Sequence, residues 1–102
     1  HFKASWLGCS AKNDLRFRKV YSQHGGDYRL TIAYLCGENR SMDVEVNGRL
    51  VKTLTVNSGS ASTVKLTAPV TIHLKKGYNE IRLSNAKGWM PDIDYIEVVK
   101  GR

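Results

Sequence analysis

Apolar and polar residues alternate with a period of two along most of this chain, and no window of it keeps the 3.6-residue period of an amphipathic helix. In "LRFRKV", Leu15 and Phe17 share one face and Arg16 and Arg18 the other. In "DYRLTIAYL", Tyr28, Leu30, Ile32 and Tyr34 alternate with Arg29, Thr31 and Ala33. "MDVEV" sets Met42, Val44 and Val46 against Asp43 and Glu45, and "RLVKTLTV", "STVKL", "VTIHL", "NEIRLS" and "IDYIEVV" complete the series. Between these runs lie the turn formers "HGGD", "CGENRS", "NGR", "NSGSAS", "KKGYN" and "NAKGWMP". Asn47-Gly48 is the sharpest of them, because both central residues of a type I′ hairpin turn need positive φ. Short strands joined by regular turns predict an all-β fold, an antiparallel β-sandwich whose two sheets share one core.

At 102 residues the chain is read as one domain spanning residues 1–102, with no linker, repeat or low-complexity segment. No apolar run is long enough to span a bilayer, and the start lacks the charged-then-apolar pattern of a signal peptide. Sixteen Lys and Arg against nine Asp and Glu give a net charge of +7. That balance admits a polyanion partner, but the basic residues are scattered, and no zinc-finger spacing, RNP-type motif or basic helix accompanies them, so a nucleic-acid role is not expected. Cys9 and Cys36 have no metal-ligand spacing; they are either bridged, if the protein is exported, or two separate thiols. His24 and His73 read as surface residues, and Tyr78, Tyr95 and Trp6 as structural ones. Asn39-Arg40-Ser41 is a glycosylation sequon. No nucleophile elbow, zinc-protease helix or phosphate-cradling loop is present. Asp92 and Asp94 share a strand face, but no second strand supplies the facing acid that glycoside hydrolysis requires. A non-catalytic domain is therefore expected.

Three segments, in order, carry a family resemblance. "GGDYRLTIAYLCGENRSMDVEVNG" resembles the Gly-x-Tyr-x-Leu-x-Ile-x-Tyr strand, loop and hairpin of carbohydrate-binding modules of families 35 and 6. "VTIHLKKGYNEIRLSN" is similar to their v-x-L-x-x-G-x-N-x-I-x-L segment, and "PDIDYIEV" to their closing strand, in the form that accompanies α-galactosidase-like and other secreted glycosidases. The resemblance implies a jelly-roll sandwich of the galactose-binding-domain type. It implies a module attached to the catalytic domain of a glycoside hydrolase, and a secreted, periplasmic or cell-surface location. In those modules an opening strand with Glu-x-Glu joins an aspartate of the last strand, here Asp94, in holding a structural calcium ion. That strand is absent from this sequence, so calcium is expected only in a longer module, and an open sheet edge is expected here. One aspartate falls well short of the six to eight oxygens that calcium takes.

The resemblance also implies where a sugar would bind. Strand direction brings loop 36–41 and loop 85–91 to one end, so that Trp89 faces Tyr34, Glu38 and Arg40 and is flanked by Asn85 and Asp92. An aromatic ring suits the C–H face of a pyranose, and polar groups suit its hydroxyls. Two roles stay open for Trp89, ligand platform or plug of the core. Tyr34 shares the face of Leu30 and Ile32, which favours a buried ring with its hydroxyl at the rim. The partner expected is an oligo- or polysaccharide, galactose-containing or acidic. The rivals are a structural sandwich packed on a catalytic neighbour and a basic polyanion binder.

Overall fold

The computed structural model describes residues 2–5 and 14–101, the former, together with residue 61, in backbone only. Nine strands form among them: β1 (Phe2–Ser5), β2 (Asp14–Ser22), β3 (Gly26–Cys36), β4 (Arg40–Val46), β5 (Arg49–Val56), β6 (Ser60–Leu66), β7 (Val70–Leu74), β8 (Gly77–Ser84) and β9 (Asp92–Lys100). No helix occurs among the described residues. One sheet runs β1-β9-β3-β6, with β7 also paired to β3, and the other runs β2-β8-β4-β5. Every pairing is antiparallel. The expected sandwich is the observed one.

The alternating patterns act as the period of a pleated strand demands. Leu30, Ile32, Met42 and Val44 are wholly buried between the sheets, as are Ile81, Leu83 and Ile96. Strand β2 departs from strict alternation. Its register with β8 shifts between Phe17 and Val20. Arg18 and Lys19 are both exposed and Val20 takes over the inward face. A bulge of this kind reverses the parity of everything after it. At the β4–β5 turn Asn47 has φ 52° and Gly48 φ 84°, as the Asn-Gly pair predicts.

Two expectations change. The sheet edge beside β9 is covered over residues 95–98 by β1, which pairs Phe2 with Val98 and Ser5 with Tyr95. Tyr78, read as structural, is 63% exposed on β8. His24 and His73 are on the surface as expected, although His73 Nδ1 lies 3.2 Å from Asp27 Oδ1, a partner brought opposite it by strand pairing. Trp6 and Cys9 lie outside the described residues. Cys36 is a buried thiol whose Sγ is 3.5 Å from the Val56 carbonyl oxygen.

The strand ends define two poles. At the first, β3 ends into loop 37–39, β5 into loop 57–59, and β8 into loop 85–91. At the second, β2 turns into β3 through residues 23–25, β4 into β5 through 47–48, and β7 into β8 through 75–76.

Candidate functional site

At the first pole a cleft of about 580 Å³ opens between loop 85–89, loop 38–40 and the outer face of β4 and β5. Trp89 forms one wall and is 72% exposed, the highest value among the exposed large apolar residues. Glu38, Arg40 and Asn85 line the cleft with it, as the sequence led one to expect. Lys87 lines it too, as do Asn39, Asp43 and Thr53, which were not anticipated as ligand contacts. Parity does aim Asp43 outward, opposite Met42 and Val44; only the non-local folding of loop 85–89 over that face turns the position into a cleft wall. Asn39, the sequon asparagine, also sits here, its Oδ1 accepting from Asn57 Nδ2 at 3.0 Å.

Asn85 braces loop 85–91 from within. Asn85 Oδ1 accepts from the backbone N–H of Lys87 at 2.9 Å and of Gly88 at 3.1 Å. Its Nδ2 donates to the carbonyls of Ser41 at 2.9 Å and Trp89 at 3.4 Å. This is the self-capping geometry to which asparagine is suited. Asn85 therefore spends its amide on shaping the loop rather than presenting it to a ligand. Arg40 is similarly engaged, donating from Nε to Glu38 Oε2 at 3.1 Å and from Nη1 to the Met90 carbonyl at 3.4 Å. Gly88 has no positive φ, and a Cβ there would meet nothing within 4 Å, so the path of the loop does not require glycine at this position.

The plug of the core at this pole is Met90, 4% exposed, rather than Trp89. Buried Met90 and Pro91 carry the chain from the sheet of β8 to the sheet of β9. That crossing separates Asp92 from the cleft. Asp92 is exposed opposite Leu35 of β3 and does not line the cleft. Tyr34 is 6% exposed and belongs to the core cluster, so its candidacy as a ligand contact is corrected to a packing role.

Asp94 is partly buried on β9. Among the described residues no group of three or more His, Cys, Asp or Glu side chains is placed to hold a metal ion.

Across the outer face of the second sheet, Arg82 Nη2 donates to Asp14 Oδ2 at 2.9 Å and Nη1 reaches Glu45 Oε2 at 3.5 Å. The hydrogen bond from Arg82 holds the Asp14 carboxyl below the ordinary aspartate range, aided by the charges of Arg82 and Arg16.

The comparisons with known proteins bear on this geometry. The family model described as carbohydrate binding module (family 35) matches residues 10–101. The chain belongs to carbohydrate-binding module family 35. A family 35 module from Clostridium thermocellum superposes with a TM-score of 0.76 at 26% identity, over 92% of this chain and 75% of that one. A module named Xyl-CBM35, in complex with a glucuronic acid containing disaccharide, gives a TM-score of 0.70 at 29% identity over 87% and 67%. An exo-beta-1,3-galactanase from Phanerochaete chrysosporium, solved with beta-1,3-galactotriose, gives 0.75 at 26%, over 83% of this chain but 20% of the enzyme. Comparison with curated protein sequences gives no match. Of the two families that the motifs resemble, family 35 is the one matched. This family 35 chain is thus a non-catalytic carbohydrate-binding module with a jelly-roll sandwich fold. Among the described residues no helix is long and apolar enough to cross a membrane.

Proposed function

We propose that the module binds its glycan in the Trp89 cleft and thereby holds a secreted or cell-surface glycoside hydrolase against a polysaccharide. The observation that carries this reading is the indole of Trp89, 72% exposed on a loop whose backbone is fixed from within by Asn85. A platform that is already ordered loses less entropy on binding than a mobile one. A pyranose stacked on the indole would offer its hydroxyls to Asp43, Glu38 and Lys87 around the cleft. Arg40 and Lys87 balance Glu38 and Asp43, so the lining carries no excess charge. That balance favours a neutral sugar of the galactose type here over a uronic acid. The galactanase among the similar structures is in keeping with both the sugar and the enzymatic company.

Trp89→Ala tests the reading. Binding to a galactan, measured by affinity electrophoresis or calorimetry, should fall below detection while the melting temperature stays near that of the parent protein. Retained binding would remove the cleft from consideration.

A further inference from the structure

The second pole carries its own exposed aromatic group. Tyr21 on β2 and Tyr78 on β8 are directly paired across the strands, with ring centroids 5.3 Å apart and planes tilted by 59°. They are 52% and 63% exposed. The bulge between Phe17 and Val20 is what turns Tyr21 outward, since unbroken alternation would put it on the face of Leu15 and Phe17. Beside Tyr21 lies an end cleft of about 420 Å³, walled by Tyr28 and edged by the polar groups of Gln23, His24 and Lys100. Lys100 Nζ sits 5.2 Å from the Tyr28 ring centroid and donates to the Gly25 carbonyl at 3.1 Å, so its charge is fixed at the mouth. Lys75 and Lys76 occupy the adjoining turn, and Lys19 is exposed on the bulge. Of the acids nearby, Glu80 is paired with Arg16 and Arg18, and the Asp27 carboxylate has His73 Nδ1 at 3.2 Å.

We propose that this pole is a second saccharide site, separate from the Trp89 cleft, and that it takes a uronic-acid-bearing glycan. Tyr21, braced by Tyr78, supplies a stacking face for the C–H side of the sugar ring. Gln23 and His24 supply hydrogen-bonding groups for hydroxyls. Lys100, with Lys75 and Lys76, supplies the positive field that a carboxylate seeks. The Trp89 cleft lacks that excess of positive charge. Two sites at opposite poles make the module bivalent, able to join two glycan strands or to bind one long strand with added avidity.

The test uses this chain with an oligogalacturonate, a neutral galacto-oligosaccharide of equal length and a single-stranded oligonucleotide as probes. The double change Tyr21→Ala with Tyr78→Ala should weaken oligogalacturonate binding about tenfold or more. Neutral-sugar binding should be unaffected. The corresponding Phe pair should keep most of the affinity, which a fold check by melting accompanies. Lys75→Gln with Lys76→Gln should weaken the acidic probe alone and flatten its salt dependence. Trp89→Ala should leave the acidic probe bound. Any of three results would overturn the proposal: a folded Tyr-to-Ala pair with unchanged affinity, loss of oligogalacturonate binding in Trp89→Ala, or oligonucleotide binding equal to that of the uronate and insensitive to the tyrosines.

Discussion

The two poles of the sandwich expose aromatic rings by different means. At one, Trp89 stands on a loop; at the other, Tyr21 and Tyr78 stand on paired strands. Each pole is organised by one asparagine whose amide is fully engaged. Asn85 folds loop 85–89 around its own side chain on the surface. Asn79 is 2% exposed, its Nδ2 within 3.2 Å of the Val20, Lys75 and Gly77 carbonyls and its Oδ1 accepting from Lys75 N–H and Asn47 Nδ2. The loop pole can change its lining without touching the core, because none of the residues that line its cleft is buried. The strand pole cannot, because its turns are tied to buried groups. Specificity is therefore expected to be tunable at Trp89 and rigid at the tyrosines.

Removing the buried asparagine should break the comparison most severely. Asn79→Ala strands the Lys75 N–H and several carbonyls at a side chain that is 2% exposed. An unsatisfied buried polar group costs about 1–3 kcal/mol, so a loss of about 3–4 kcal/mol is expected in denaturant unfolding. A loss below about 1 kcal/mol would show that water replaces the amide and that this pole is looser than its hydrogen bonds imply.

Within loop 85–91 the contrast between neighbours comes next. Met90→Ala removes a side chain that is 4% exposed and should cost about 2–5 kcal/mol. Trp89→Ala, one residue away, should stay within about 0.5 kcal/mol of the parent, as surface changes generally do. If the costs came out reversed, the indole would be the plug and the platform reading would fail. Asn85→Ala should fall between them in stability, at about 1 kcal/mol, because its hydrogen bonds are partly in water. Its larger effect should be on galactan affinity, several-fold weaker through loss of loop order. Unchanged affinity would mean that the loop needs no internal brace.

Eight of the nine strands were legible from alternation, and so was the Asn47-Gly48 hairpin, because side-chain period and turn chemistry are local properties. Strand β1 was not: the four residues "FKAS" are too short to show a period, and the strand exists through its pairing with β9. Trp89, Glu38, Arg40 and Asn85 were brought together as expected because strand direction, taken with the family resemblance, puts loops 36–41 and 85–91 at one pole. Asp43 and Thr53 were missed because a loop distant in sequence completes their surroundings. Asp92 was misassigned because the Met90-Pro91 crossing carries it to the other sheet, whereas Tyr34 is buried, as its parity with Leu30 and Ile32 favoured. Tyr78 was read as structural, although it shares the outward parity of Glu80 and Arg82. Tyr21 is exposed by a bulge whose mark in the sequence is the pair Arg18-Lys19, two polar residues in a row before Val20.

The smallest expected effect concerns the ion pairs that lie between the poles. Arg82 ties Asp14 of β2 to Glu45 of β4 across β8, on the outer face that separates the Trp89 cleft from the tyrosine pair. The Asp14 carboxyl is held below its ordinary value mainly by its hydrogen bond with Arg82. A carboxylate whose pKa is depressed in the folded state adds stability above the pKa of the unfolded chain, about 3.9 for aspartate. That contribution is lost as the pH falls through the lower, folded value. Because the pair is open to solvent, screening keeps the contribution small, and added salt should shrink it further. Melting temperature measured from pH 7 down to about pH 2 should therefore show a shallow extra decline that Asp14→Asn removes. Glycan binding at either pole should not change in that variant, because neither site includes Asp14. If Asp14→Asn altered binding at one pole or both, the outer face would be acting as a connection between the poles, and their independence, on which bivalent binding rests, would be lost.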